Sequence, residues 1–96
     1  MIVSGGENVH PGPVEDLIAA RDEVREAAVT GVDDDEYGQR LAAYVVLEPG
    51  SSVDADAVRG WVKQELSRFA VPRDVVFLDA LPRNATGKVV HRELTG

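Results

Sequence analysis

Two stretches of the sequence hold residue types that could do chemistry. One is Leu81-Pro82-Arg83-Asn84-Ala85-Thr86-Gly87-Lys88, and the other is Ser4-Gly5-Gly6-Glu7-Asn8-Val9. A lysine behind a glycine on a polar loop offers a compact ammonium on a long stem, suited to meeting a phosphate or a carboxylate. The phosphate-cradling loop of nucleotide-binding proteins requires Gly, four residues, then Gly-Lys-Ser/Thr. Here Pro82 stands at the first glycine position and Val89 follows Lys88, so that loop is excluded. On composition alone Lys88 reads as a solvated surface lysine, as most lysines are. Gly5 and Gly6 suit close backbone approach to a ligand or a positive φ. They suit a plain turn between a hairpin and a helix equally well.

The remaining candidates are weaker. The run Asp33-Asp34-Asp35-Glu36 invites a calcium reading. Counted from Asp33, Gly38 falls on the sixth position of such a loop, but Tyr37 and Tyr44 fall on two ligand positions, the fifth and twelfth. A solvated acidic turn explains the run better. His10 and His91 lack the Cys or neighbouring His of a zinc set, and the chain has no cysteine. No metal site is expected. Asn84-Ala85-Thr86 fits a glycosylation pattern that carries no weight without a secretory signal. No Ser/His/Asp set can be defended by spacing, and Glu15 and Asp16 read as helix-end carboxylates rather than an acid/base pair.

The elements that must position these residues can be read along the chain. Pro11-Gly12-Pro13 opens a helix, since proline suits the first turn. Val14, Leu17 and Ile18 supply its apolar face as far as about Ala20. Glu15 and Asp16 are expected in that first turn, favouring the helix dipole. Val24 to Val32 reads as a strand. Leu41 to Glu48 reads as a second, apolar on both faces and therefore central. Pro49-Gly50-Ser51-Ser52 is turn chemistry. A second helix is expected from Asp54, a good N-cap, to Arg68, with Val58, Trp61, Val62, Leu66 and Phe69 on one face. Asp74 to Asp79 is a third strand, followed by the polar loop Pro82 to Gly87 and a helical tail from Lys88 to Leu94. The order implies an α+β fold, a small sheet of roughly three strands covered by two main helices.

Composition narrows the class. The chain has 96 residues, 44% of them hydrophobic, which suits one domain over residues 1–96. A formal net charge of −7 argues against nucleic acid and anionic membrane as partners. No apolar run approaches the roughly 20 residues of a membrane span. The absence of cysteine fits a reducing, cytoplasmic setting. The chain begins at Met1 directly on a strand-like segment and a glycine pair, which suggests that Met1 is an internal position of a longer protein.

Taken in order, the motifs become specific. Ser4-Gly5-Gly6-Glu7-Asn8-Val9 with Pro11, a helix holding Val14-Glu15, the strand into Gly31-Val32 with Gly38 after an acidic turn, Phe69 with Val71-Pro72, and Leu81 to Lys88 follow one another. The whole chain resembles the C-terminal domain of the adenylate-forming superfamily of acyl-CoA synthetases, luciferases and peptide-synthetase adenylation domains. The Gly-Gly-Glu-Asn form is similar to the acyl-CoA synthetase branch. The resemblance implies a mobile lid domain of a two-domain enzyme that joins a carboxylate to ATP (with Mg²⁺) and then passes the acyl group to CoA. It implies that a large N-terminal adenylating domain, the partner of this one, holds most of the ATP and acid pocket. Lys88 would be the catalytic lysine of adenylation, reaching between carboxylate and α-phosphate, with Gly87 leaving its loop free to place it. Ser4, Gly5, Gly6 and Glu7 would form the loop facing the CoA pantetheine arm. Lys63 is the candidate contact for CoA phosphate, with Arg40, Arg68, Arg73 and Arg92 as unranked rivals. The chain departs from the family at Pro13, Asp33 and Ala70, where an acidic residue, a proline and a lysine are common; Ala70 removes a cation from the CoA side.

Two alternatives remain open. One keeps adenylation but hands the acyl group to a carrier protein. The other is a free-standing binding or regulatory module that presents Lys88 for acylation.

Overall fold

The computed structural model describes residues 2–4, 7–34 and 38–87, with side chains over 10–32 and 39–87. Five strands and two α-helices occur in these segments: β1 (Ile2–Ser4), β2 (Glu7–Val9), α1 (Pro11–Ala19), β3 (Val24–Asp34), β4 (Gly38–Leu47), α2 (Ala55–Glu65) and β5 (Asp74–Phe77). A 3-10 turn, Arg68–Ala70, stands between α2 and β5. The order helix, strand, strand, helix, strand follows the sequence reading. The hairpin of β1 and β2 ahead of it forms a separate two-stranded sheet.

The main sheet runs β3-β4-β5, with β4 antiparallel to β3 and parallel to β5. A parallel neighbour requires a crossover, and α2 with the 3-10 turn supplies it. β4 is central, as its apolar composition implies. Leu41, Ala42, Ala43, Val45 and Val46 are all buried. Alternate residues face opposite ways, so Leu41, Ala43 and Val45 join Val14, Ile18, Val58 and Val62 in the core under the helices. Val46 faces the other side, where it meets Ala28 and Leu81, with Tyr44 and Leu78 packed around them.

The register of β3 shifts between Val24 and Glu26. Such a bulge changes which face successive side chains take. Val24 before it and Val29 and Ala27 after it all pack in the helix-side core. Without the shift Glu26 would share the face of Val24; with it, Glu26 shares the face of Ala28.

The helices begin and end for local reasons. α1 starts on Pro11, so its first turn carries no acidic residue and Glu15 and Asp16 fall one turn later than expected. Glu15 has another task, accepting the backbone N–H of Val29 at 2.9 Å and so tying α1 to β3. Asp54 caps α2, accepting the Ala57 N–H at 2.8 Å. The expected extension of α2 to Arg68 is not observed: the helix stops at Glu65, and Leu66 is 44% exposed. Ser67, extended at φ −160° and ψ 165°, interrupts the helix, and Pro72 holds the residue before it, Val71, extended at φ −66°, ψ 123°, which ends the 3-10 turn. The 3-10 turn completes the change of direction and buries Ala70. β5 ends at Phe77 rather than Asp79. Arg59 on α2 secures the approach to β5, donating to the carbonyls of Pro72 at 3.1 Å and Arg73 at 2.8 Å. The Arg21 guanidinium lies 4.6 Å from the centre of the Trp61 ring, adding a contact between the turn after α1 and α2. Among the described residues no helix is long and apolar enough to cross a membrane.

Candidate functional site

The sequence from Leu81 to Gly87 forms a built turn rather than a free loop. Leu81 is 6% exposed and anchors the segment on Ala28 and Val46, on the sheet face away from the helices. Asn84 and Gly87 then occupy the first and fourth positions of a β-turn, the places those residue types favour. The Gly87 N–H donates to the Asn84 carbonyl at 3.0 Å. The Asn84 side-chain Oδ1 accepts both the Thr86 N–H, at 3.0 Å, and the Thr86 hydroxyl, at 2.7 Å. Gly87 has φ +85°, a left-handed conformation that side chains disfavour. A Cβ there would meet nothing within 4 Å, so the backbone angle, not crowding, calls for glycine. This corrects the expectation that Gly87 keeps the loop free: it closes a hydrogen-bonded turn.

Arg83 links this turn to the sheet. Its Nη1 donates to the Gly87 carbonyl at 2.8 Å, and its Nη2 forms an ion pair with Oε1 of Glu26 on β3. Arg83 falls within the Leu81–Lys88 stretch, whereas Glu26 carries no signal of its own in the sequence. The Asn84-Ala85-Thr86-Gly87 spacing is a legible turn signal, but nothing local marks Glu26 as the partner of Arg83.

Of the expected site residues, Lys88, Gly5 and Gly6 lie outside the described residues, as do His91, Arg92 and the helical tail. The strands that flank Gly5-Gly6 in the sequence, β1 and β2, pair antiparallel with Ser4 opposite Glu7. β1 lies beside β4, and β2 beside the 3-10 turn. Lys63 is exposed on the last turn of α2, where a cation suits the negative helix end. It belongs to the helix layer, whereas the Leu81–Gly87 segment belongs to the opposite face. Arg40 pairs with Asp74 at 2.9 Å, and Arg68 stacks 4.9 Å from the Phe69 ring centre. Arg73 is exposed, and its backbone N–H joins the sheet through the Leu41 carbonyl at 3.0 Å. Ala70 sits in the core, with 6% of its surface exposed.

Chemically, the Leu81–Gly87 turn is a backbone segment fixed at several points. Preorganisation of this kind suits a charged side chain that must meet a developing charge.

Comparison with known proteins bears on which reaction this serves. The family model described as AMP-binding enzyme C-terminal domain matches residues 13–88. The chain is 44% identical over 94 residues to a 2-succinylbenzoate–CoA ligase of Geobacillus kaustophilus, covering 98% of this chain and 19% of that protein. It is 46% identical over 95 residues to a 4-chlorobenzoate–CoA ligase of a Pseudomonas species, covering 98% of this chain and 18% of the relative. Among solved structures, an acyl-CoA synthetase of Brucella canis superposes with a TM-score of 0.91 at 34% identity, over 98% of this chain and 18% of the other. The amide bond synthetase McbA of Marinactinospora thermotolerans superposes with a TM-score of 0.93 at 32% identity, over 97% of this chain and 19% of the other. The chain thus spans under a fifth of the length of these relatives, and the likeness covers nearly all of it.

Proposed function

We propose that this chain, which belongs to the AMP-binding enzyme C-terminal domain family, is the lid domain of an ATP-dependent acyl-CoA synthetase. In this reading a large adenylating domain precedes it and binds the carboxylic acid and MgATP. Lys88 enters that site for the first half-reaction. There the acid's carboxylate attacks the α-phosphorus of ATP, an acyl-adenylate forms and pyrophosphate leaves. Both reactants are anionic, so an ammonium held between them offsets their repulsion and stabilises the transition state. In the second half-reaction the CoA thiol attacks the acyl carbon and AMP leaves. The hairpin loop from Ser4 to Glu7 then lines the pantetheine passage, where glycines at 5 and 6 leave room for the thiol. Lys63 is kept as the contact for CoA phosphate, although its place at the α2 C-terminus explains it structurally as well. The acidic, cysteine-free composition suits a cytoplasmic enzyme.

The observation that carries this reading is the built turn that ends at Gly87, directly before Lys88 in the sequence. The CoA ligases that match nearly the whole chain support it. A domain of this kind supplies a lysine but no nucleotide pocket, so the isolated chain should catalyse no ATP–pyrophosphate exchange. Exchange by these 96 residues alone would overturn the two-domain account.

A second reading keeps adenylation and changes the acceptor. Its support is the close superposition on an amide bond synthetase. Supplying the complete enzyme with free CoA, a pantetheinylated carrier protein or an amine separates the acceptors. CoA thioester as the main product is the expected result.

A further inference from the structure

The peptide joining Gly87 to Lys88 is held from outside the turn. Its carbonyl oxygen, that of Gly87, accepts Nη1 of Arg83 at 2.8 Å, while Nη2 of the same guanidinium pairs with Glu26. The guanidinium is a rigid, planar fork, so fixing one prong on Glu26 orients the other. Glu26 reaches this face because the register of β3 shifts just before it. The Asn84–Thr86 bonds shape the turn internally, whereas Leu81 and the Arg83–Glu26 pair tie it to the sheet.

Stability does not account for the pair. The side chains of Arg83 and Glu26 are 42% and 25% exposed, and ion pairs so close to solvent add little to folding. What the pair supplies is direction. A side chain that must meet its target within a fraction of an ångström depends on the orientation of its own peptide.

We infer that Arg83 and Glu26 are positioning residues for Lys88, aiming the 87–88 peptide so that the lysine arrives correctly in the adenylation step. This inference rests on the reading of Lys88 as the adenylation lysine.

The test uses the complete enzyme and follows four quantities: kcat and KM for ATP in pyrophosphate exchange, the acceptor half-reaction from supplied acyl-adenylate, and the Tm. Arg83→Ala should lower the exchange kcat by roughly 10- to 100-fold, since a displacement of about 1 Å can cost that much. KM, the acceptor step and Tm should stay near wild type. Arg83→Lys should recover part of the loss, because one ammonium keeps the charge but cannot hold both partners as a fork does. Glu26→Gln, which retains an acceptor oxygen, should lose less than Arg83→Ala, and it gives the same readout should Arg83→Ala fail to fold. Unchanged exchange, or an equal fall in both half-reactions, would overturn the inference. Lys88→Ala run alongside separates the two layers. If it abolishes exchange while Arg83→Ala and Glu26→Gln do not alter it, only the positioning role fails. If Lys88→Ala leaves exchange intact, the reading of Lys88 itself fails.

Discussion

The two faces of the central sheet are built on different principles. Under the helices, Ile18, Val14, Leu41, Val45, Val58 and Val62 are almost wholly excluded from water, and the packing is continuous from α1 across the sheet to α2. On the other face the buried cluster among the described residues is Ala28, Val46 and Leu81, and a polar turn is joined to it through Leu81. The first face holds the domain together by apolar burial. The second holds a turn in place with one anchor, one ion pair and a few directed hydrogen bonds. Apolar burial and the anchoring of a turn are thus assigned to opposite sides of one sheet, and β4 carries both.

Paired truncations test that division. Ile18→Ala should destabilise the chain by about 4 kcal/mol, read by urea or thermal unfolding, because it opens a cavity where neighbours cannot collapse. Leu81→Ala should cost nearer 2 kcal/mol, the low end for such a change, since its cluster is small and close to solvent. Equal costs would show that the two faces contribute alike. Smaller effects of opposite sign are expected at two glycines. Gly87→Ala should destabilise by about 1 kcal/mol, because its φ of +85° is strained for any side chain. Gly60→Ala, in the exposed interior of α2 with nothing within 4 Å of a new Cβ, should stabilise by about 0.5–1 kcal/mol. Matching signs at the two positions would mean that the turn at Gly87 is not held as described.

Much of the helix-covered face was legible in the sequence, because local patterns specify it. The apolar run of β4 marked a central strand, the spacing of Val14 and Ile18 marked a buried helix face, and Asp54 marked a cap. The errors have physical causes. Apolar periodicity continues through Leu66 and Phe69, but the backbone is extended at Ser67, and Phe69 is carried on a 3-10 turn that Pro72 brings to an end. Glu15 followed a dipole rule in sequence and an edge-strand requirement in space. The opposite face was harder to read. Asn84 and Gly87 announce a turn, yet the partner of Arg83 lies far away in the sequence and faces it only because β3 carries a bulge. A bulge leaves no dependable local mark. The role proposed for Lys88 rests on the order of motifs across the whole chain.

The most direct test of the central claim is the ratio of the two half-reaction rates in the complete enzyme bearing Lys88→Ala. Loss of one preorganised electrostatic group costs on the order of 10²- to 10³-fold in rate. The variant should therefore lose that much in acyl-adenylate formation while converting supplied acyl-adenylate to thioester at close to the wild-type rate. Equal loss of both steps, or undiminished adenylation, would contradict the assignment of Lys88 to the first half-reaction.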